Sequence, residues 1–167
     1  MLNNPTARMC LQIIYACGLR LREGTHLQVS AIDSPRLLVQ VRQGTGGNDR
    51  YGPLADGTLE RVRASWQRER PRPWLFPARH QQTPLSPTTL QKTCKRVVRP
   101  SGIATDASIH TLRHSYATQL LERGVSWHVI QELLGYKRPS PTARYTHLTP
   151  PTFAVVQAPL TALMADR

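Results

Sequence analysis

His110-Thr111-Leu112-Arg113-His114-Ser115-Tyr116, running on through Ala117-Thr118-Gln119-Leu120-Leu121-Glu122-Arg123 to Gly124, is the stretch around which the rest of the chain can be ordered. It predicts a helix over Ile109 to Arg123. His110 and Arg113 are three residues apart, one helical turn, so both can point from a shared face into one pocket. His110 and His114 stand at i and i+4, which is also a zinc-binding spacing. No Glu follows His110 and no third ligand is apparent, so no metal is assigned. His114 is expected to orient the pocket or to pack beneath it.

Working outward from this helix, the pattern stays helical toward the C-terminus. Ser126 caps a predicted helix that ends at Leu134 with Gly135 as its stop, Pro141 to Thr146 forms a short helix, and Pro151 to Met164 a terminal one. Toward the N-terminus lies a helix over Pro87 to Val98, preceded by a Pro-rich loop (Pro71, Pro73, Pro77) carrying Trp74, Leu75 and Phe76, and by a helix from Asp56 to about Arg68. Before that, Val29 to Asp33 and Arg36 to Val41 read as strands about a Ser34-Pro35 turn. The Gly-rich Gly44-Thr45-Gly46-Gly47 then leads to a third strand over Arg50 to Leu54. At the start, Ala7, Cys10, Leu11, Ile14 and Cys17 recur at helical spacing after Pro5 and stop at Gly18, and a second short helix covers Leu21 to Leu27. The expected fold is α+β, mainly α, with one small three-stranded antiparallel sheet at an edge.

The 167 residues fit one domain, and 40% apolar content suffices for a core. Lys and Arg number 22 against 10 Asp and Glu, a net charge of +12. A surface that positive attracts a polyanion in a salt-sensitive way, so nucleic acid is the leading partner, with simple solubilisation as the bland alternative. Only Lys92, Lys95 and Lys137 are lysines. Arginine's planar fork suits paired contacts to phosphate. Cys10, Cys17 and Cys94 form no C-x-x-C pair and indicate neither a disulfide framework nor a cysteine zinc site. No apolar run reaches membrane-spanning length and the N-terminus lacks a signal-peptide plan, so a cytoplasmic protein without a membrane partner is expected.

Three separated segments resemble one family: ACGLRLREG at residues 16–24, HTLRHSYATQLLERG at 110–124 and LLGYKRPSPTARYTHL at 133–148. They are similar to the tyrosine recombinases of the phage integrase family, and the resemblance runs over essentially the whole chain. It implies the helical catalytic domain of a DNA breaking-rejoining enzyme. It matches the family's first arginine and following glutamate to Arg20 and Glu23, its His-x-x-Arg to His110 and Arg113, and its nucleophile to Tyr145. Fixed guanidinium groups offer charge and paired donors where a cleaved phosphodiester gathers negative charge. His110 binds a phosphate oxygen or helps take the tyrosine proton. Attack by Tyr145 gives a 3′-phosphotyrosyl link, which keeps the bond energy for resealing, with arginines in the place of a Lewis-acid metal and no cofactor. Double-stranded DNA is the implied partner, met also by Arg42, Arg50, Lys137, Arg138 and Arg144. Taken singly, Arg20 reads equally as a helix-end cation, Arg113 as an ion-pair partner of Glu23 or another acid, and Tyr145 as a packing residue. Taken jointly, they favour the site.

The sequence departs from the family pattern in three places. The hairpin usually reads Gly-Lys-Gly-x-Lys-x-Arg, and its first lysine protonates the departing 5′-oxygen; here Thr45 stands at that position, and a hydroxyl of very high pKa is a poor acid at neutral pH. Losing a general acid costs about 10² to 10⁴ in rate, so slow cleavage is expected, with a catalytically inactive DNA-binding remnant as the alternative. Tyr136 replaces the usual histidine or tryptophan after Leu-Gly; it can donate through its hydroxyl and is also a second candidate nucleophile. The family's N-terminal core-binding domain is expected to be absent, leaving 1–167 as a single catalytic domain. The apolar tail Phe153, Val155, Val156, Leu160, Leu163 and Met164 is expected either to dock on a neighbouring copy or to pack on its own domain. A basic RNA-binding protein is a third reading, in which RNA affinity would be indifferent to Arg20→Ala and Arg113→Ala.

Overall fold

Asn4 starts the first helix, its Oδ1 accepting the Ala7 N–H at 2.9 Å with Pro5 at the first helical position. In this computed structural model, which describes residues 4–42, 49–80, 82–99, 107–136, 156 and 158–162, that helix (α1) runs over Pro5–Cys17. It ends on Gly18, left-handed at φ 59°, where a Cβ would stand 2.5 Å from the Tyr116 ring. Glycine is therefore required twice over at this position, by backbone conformation and by the close approach of a later helix.

The order continues with α2 (Leu21–Thr25), a 3₁₀ turn (Val29–Ala31), β1 (Ile32–Asp33), β2 (Leu38–Val41), β3 (Arg50–Pro53), α3 (Asp56–Glu69), α4 (Pro87–Val98), α5 (Ile109–Glu122) and α6 (Trp127–Leu134). The three strands form an antiparallel meander in the order β1-β2-β3. Ile32 faces Val39 across the first pair, and Val39 and Val41 face Gly52 and Arg50 across the second. Residues directly opposite share a face, so Arg50 lies on the inner side with buried Val39 and Val41, while Tyr51 turns to solvent.

The predicted helices over 87–98 and 126–134 and the stop at Gly135 match the structure, but the first two strands are shorter than expected. Val29–Ala31 winds into a 3₁₀ turn, and Leu37 takes a left-handed φ of 54°, which breaks the extended run so that β2 starts at Leu38. The second helix ends at Thr25 rather than Leu27, because the Leu27 carbonyl accepts the Leu75 N–H at 2.7 Å and ties the Pro-rich loop to this segment. The hairpin tip at 43–48 and the predicted helix over Pro141–Thr146 lie outside the described residues.

Helix α1 is central and touches α2, α3, α4 and α5. It separates two apolar clusters. The larger gathers Ile13, Ile14, Leu54, Phe76 and Leu90 among others; the smaller joins Tyr15 to Tyr116, Leu120, Ile130, Leu133 and Leu134 of α5 and α6. Val156 and Leu160 of the terminal segment are fully buried in that second cluster. At about 1.5–3 kcal/mol for each fully buried leucine or isoleucine, this packing holds the ends of α1 and α6 beside each other. No described helix is long and apolar enough to cross a membrane.

Candidate active site

The site grows from the junction of α1 and α2. Gly18 and Leu19 carry the chain out of α1, and Arg20 takes an extended conformation (φ −76°, ψ 159°) as the residue preceding α2. Three residues on, Glu23 folds back so that Oε2 accepts the Arg20 backbone N–H at 2.7 Å and Oε1 accepts Arg20 Nη1 at 2.8 Å. A glutamate at this position of a helix start is how an orphaned N–H is matched. The short Arg-x-x-Glu spacing thus fixes both side chains locally.

Glu23 does more than cap. Its side chain is 7% exposed, and Oε2 also accepts Arg50 Nη2 at 2.7 Å and lies 3.9 Å from Arg113 Nη1. Three guanidinium groups therefore surround one buried carboxylate, leaving an excess of positive charge in a poorly solvated place. Arg113 arrives from α5, where the inward positions are Ile109, Arg113, Tyr116, Ala117 and Leu120. Its Nη1 donates to the Gly18 carbonyl at 2.5 Å and its Nη2 to the Leu134 carbonyl. These are carbonyls at the C-terminal ends of α1 and α6, where a cation is electrostatically favoured. The Arg113 guanidinium also lies over the Tyr136 ring, 5.3 Å from its centre.

Burial lowers the pKa of Arg113, and the neighbouring charge of Arg20 lowers it further, while Tyr136 and Glu23 oppose the change. Burial likewise lowers that of Arg50, with Glu23 acting against it and Arg113 and Arg20 adding to it. Arg20, at 29% side-chain exposure, is the one of the three whose side chain reaches solvent appreciably. The cluster thus carries a net positive charge, with Arg20 as its solvent-facing member.

Of the residues singled out in the sequence, Arg20, Glu23, Arg113 and Tyr136 come together here. His110 is exposed in the first turn of α5, one turn before Arg113. His114 does not pack beneath the pocket: it too is exposed, because it falls outside the inward stripe of α5. Arg42 is exposed at the end of β2 and bonds Gln40 Oε1 through Nε at 3.2 Å. Arg50, expected among the DNA-facing cations, turns inward because its register with Val41 sends its side chain to the inner face of the sheet. Thr45, Lys137, Arg138, Arg144 and Tyr145 lie outside the described residues.

Two features escaped the sequence reading. Tyr116 is fully buried under Gly18, its hydroxyl has no hydrogen-bond partner among the described residues, and burial pushes its pKa up. Lys92, Lys95, Arg96 and Arg99 follow i, i+3, i+4, i+7 spacing along α4 and are all exposed, a basic face that periodicity alone could have found. The three thiols are buried as core residues, with Cys17 pushed up to about 12 by desolvation.

A small antiparallel meander lies beside the helices, with an arginine from the first helix end and another from a later helix turned onto one carboxylate. Residues 3–151 match the model of the phage integrase family, and the chain belongs to that family. Among its relatives, the tyrosine recombinase XerA of Pyrococcus furiosus is 36% identical over 145 residues, covering 85% of this chain and 50% of the relative. An integrase/recombinase of Escherichia coli is 32% identical, covering 93% of this chain and 58% of the relative. This chain spans roughly half to three fifths of the length of such curated relatives. In fold it is similar to a crystal structure of XerA recombinase (TM-score 0.68, 22% identity, 90% of this chain and 60% of that one). It is similar also to XerH site-specific recombinase in a post-cleavage complex with a palindromic difH substrate (TM-score 0.71, 22% identity, 98% and 46%).

Proposed function

We propose that this chain is the catalytic domain of a site-specific tyrosine recombinase, which cleaves and rejoins DNA strands during recombination or integration of a mobile element. The observation that carries the reading is the convergence of Arg20 and Arg113 on Glu23 across 93 residues of sequence, in the fold of relatives named as tyrosine recombinases. Two guanidiniums turned onto one carboxylate hold fixed positive charge of the kind a phosphodiester needs as negative charge develops on it.

In the proposed step, the Tyr145 hydroxyl oxygen attacks phosphorus and the bond from phosphorus to the 5′-oxygen breaks. The products are a 3′-phosphotyrosyl ester and a free 5′-hydroxyl. His110 accepts the phenolic proton, and the leaving 5′-oxygen takes a proton from water, in place of the family's lysine. Tyr136, stacked on Arg113, supplies a further hydroxyl at the phosphate. Rejoining is the reverse, with another strand's 5′-hydroxyl attacking the ester. No cofactor enters this scheme.

Double-stranded DNA is the proposed substrate. Several solved structures of similar fold are DNA complexes, among them a λ integrase dimer bound to a COC′ core site. The net charge of +12 and the exposed cations of α4, with Arg42 and the expected Lys137, Arg138 and Arg144, fit phosphate contacts along a duplex. The proposed place of action is the nucleoid. As for assembly, Val156 and Leu160 are buried against this chain's own α5 and α6, which favours packing of that part of the tail on its own domain over exchange with a neighbour.

The test is a nicked suicide duplex. Wild type should form a covalent protein–DNA adduct that Tyr145→Phe abolishes, and Thr45→Lys should speed its formation by about 10² to 10⁴. A second reading, an inactive DNA-binding remnant, is favoured by Thr45 itself; it wins if wild type forms no adduct while Thr45→Lys does. An adduct that survives Tyr145→Phe and disappears with Tyr136→Phe would move the nucleophile to Tyr136.

A further inference from the structure

One guanidinium of the cluster has no part in the proposed cleavage step. Arg50 leaves β3 on the inner face of the sheet, and its side chain is 9% exposed. Nη2 donates to Glu23 Oε2, whereas Nε and Nη1 are buried with no hydrogen-bond partner among the described residues. Its stem presses on Gly135, where a Cβ would stand 2.9 Å from Arg50 Cδ and 3.0 Å from Nε. Gly135 is left-handed at φ 65° and immediately follows Leu134, whose carbonyl accepts Arg113 Nη2.

These contacts place Arg50 against the supports of both phosphate arginines. The oxygen it holds, Glu23 Oε2, is the one that accepts the Arg20 backbone N–H and lies nearest Arg113. The backbone it abuts is the α6 end on which Arg113 rests. A cation serving only to neutralise Glu23 would be least costly at the surface; this one is desolvated, beside two like charges, with two donors unmatched.

We infer that Arg50 is a positioning residue of the phosphate site, which fixes Glu23 Oε2 and the Leu134–Gly135 corner so that Arg20 and Arg113 are aimed together. This inference rests on the reading of those two arginines as phosphate ligands.

The experiment compares Arg50→Met, Arg50→Lys, Glu23→Gln and the Arg50→Met/Glu23→Gln pair by single-turnover cleavage of the suicide duplex at saturating DNA, with Kd measured separately. Arg50→Met should slow cleavage about 10²-fold while Kd moves by less than about threefold, because misaimed groups cost rate before affinity. Arg50→Lys should recover about tenfold of that loss, and the double variant should be no slower than the slower single, since Arg50 acts through Glu23. Multiplicative losses in the pair, or a loss confined to Kd, or one that merely tracks the folded fraction by circular dichroism, would overturn the inference. If wild type gives no adduct dependent on Tyr145, the cleavage reading fails, and the aiming of the arginines is read instead from NMR exchange of the Arg20 and Arg113 Nε–H groups. Exchange about tenfold faster in Arg50→Met with backbone protection retained supports the positioning role; unchanged exchange overturns it.

Discussion

Two buried regions meet at the C-terminal end of α1, and different forces hold them. On one side, Leu120, Ile130, Leu133 and Leu134 pack with Tyr116 into an apolar cluster whose members each contribute by area and fit. On the other, Glu23 gathers Arg20, Arg50 and Arg113, groups that are costly to bury and stable only in one another's company. The apolar side should respond to substitution in independent increments. The charged side should respond as a unit.

The largest effect is therefore expected at Glu23. Glu23→Leu removes the only carboxylate that, among the described residues, is placed against the three guanidiniums, and leaves two of them buried beside each other. Breaking a buried pair in this way should cost about 3–5 kcal/mol in urea unfolding, and adduct formation should disappear with it. A loss below about 1 kcal/mol would mean that the cluster is solvated like a surface pair, and the contrast between the two regions would vanish.

The apolar clusters supply the counter-test. Leu90→Ala in the larger and Leu120→Ala in the smaller should each cost about 3 kcal/mol, and the two losses should add within about 0.5 kcal/mol. Adduct yield per folded molecule should be unchanged in Leu90→Ala. A coupling beyond that margin would show that α1 transmits strain between the clusters. A smaller effect is expected on the outside: neutralising Lys92, Lys95, Arg96 and Arg99 together should leave stability within about 0.5 kcal/mol. It should flatten the dependence of log affinity for duplex DNA on log salt by about 0.9 for each phosphate that the protein no longer neutralises. An unchanged slope would take α4 off the DNA face.

The same contrast explains what could be read from the sequence. Helices bounded by local signals were legible: Pro87 at the start of α4, Ser126 and Gly135 around α6, Gly18 after α1. Arg20 and Glu23 were legible as a local pair, and His110 with Arg113 as a spacing. Arg50 was not, since its orientation depends on a cross-strand register with Val41 and its partner lies 27 residues away in another element. The same applies to His114: its spacing from His110 suggested a place at or beneath the pocket, but the inward stripe of α5 is defined by what α1 and α6 present to it. The late start of β2 turned on Leu37, whose left-handed backbone nothing in its side chain announces.

Tyr116 is where the two regions touch, and it yields the smallest expected effect. The ring belongs to the apolar cluster, packed so closely under Gly18 that no Cβ fits between them, and the hydroxyl lies within electrostatic reach of Arg50. That hydroxyl is buried with no partner among the described residues. If it serves only as ring substituent, Tyr116→Phe removes an unmatched polar atom and keeps the packing, so stability should stay level or rise by up to about 1 kcal/mol, with adduct formation unchanged. If instead the hydroxyl shares a buried water with the unmatched Arg50 donors, the substitution strips the guanidinium of that link, and stability should fall by about 1–3 kcal/mol together with the cleavage rate. The first outcome is expected, because Arg50 is already fixed by Glu23 and by the backbone at Gly135, and because the apolar neighbours of Tyr116 offer a poor lining for water. A clear loss in both stability and rate would move Tyr116 across the boundary, into the charged region.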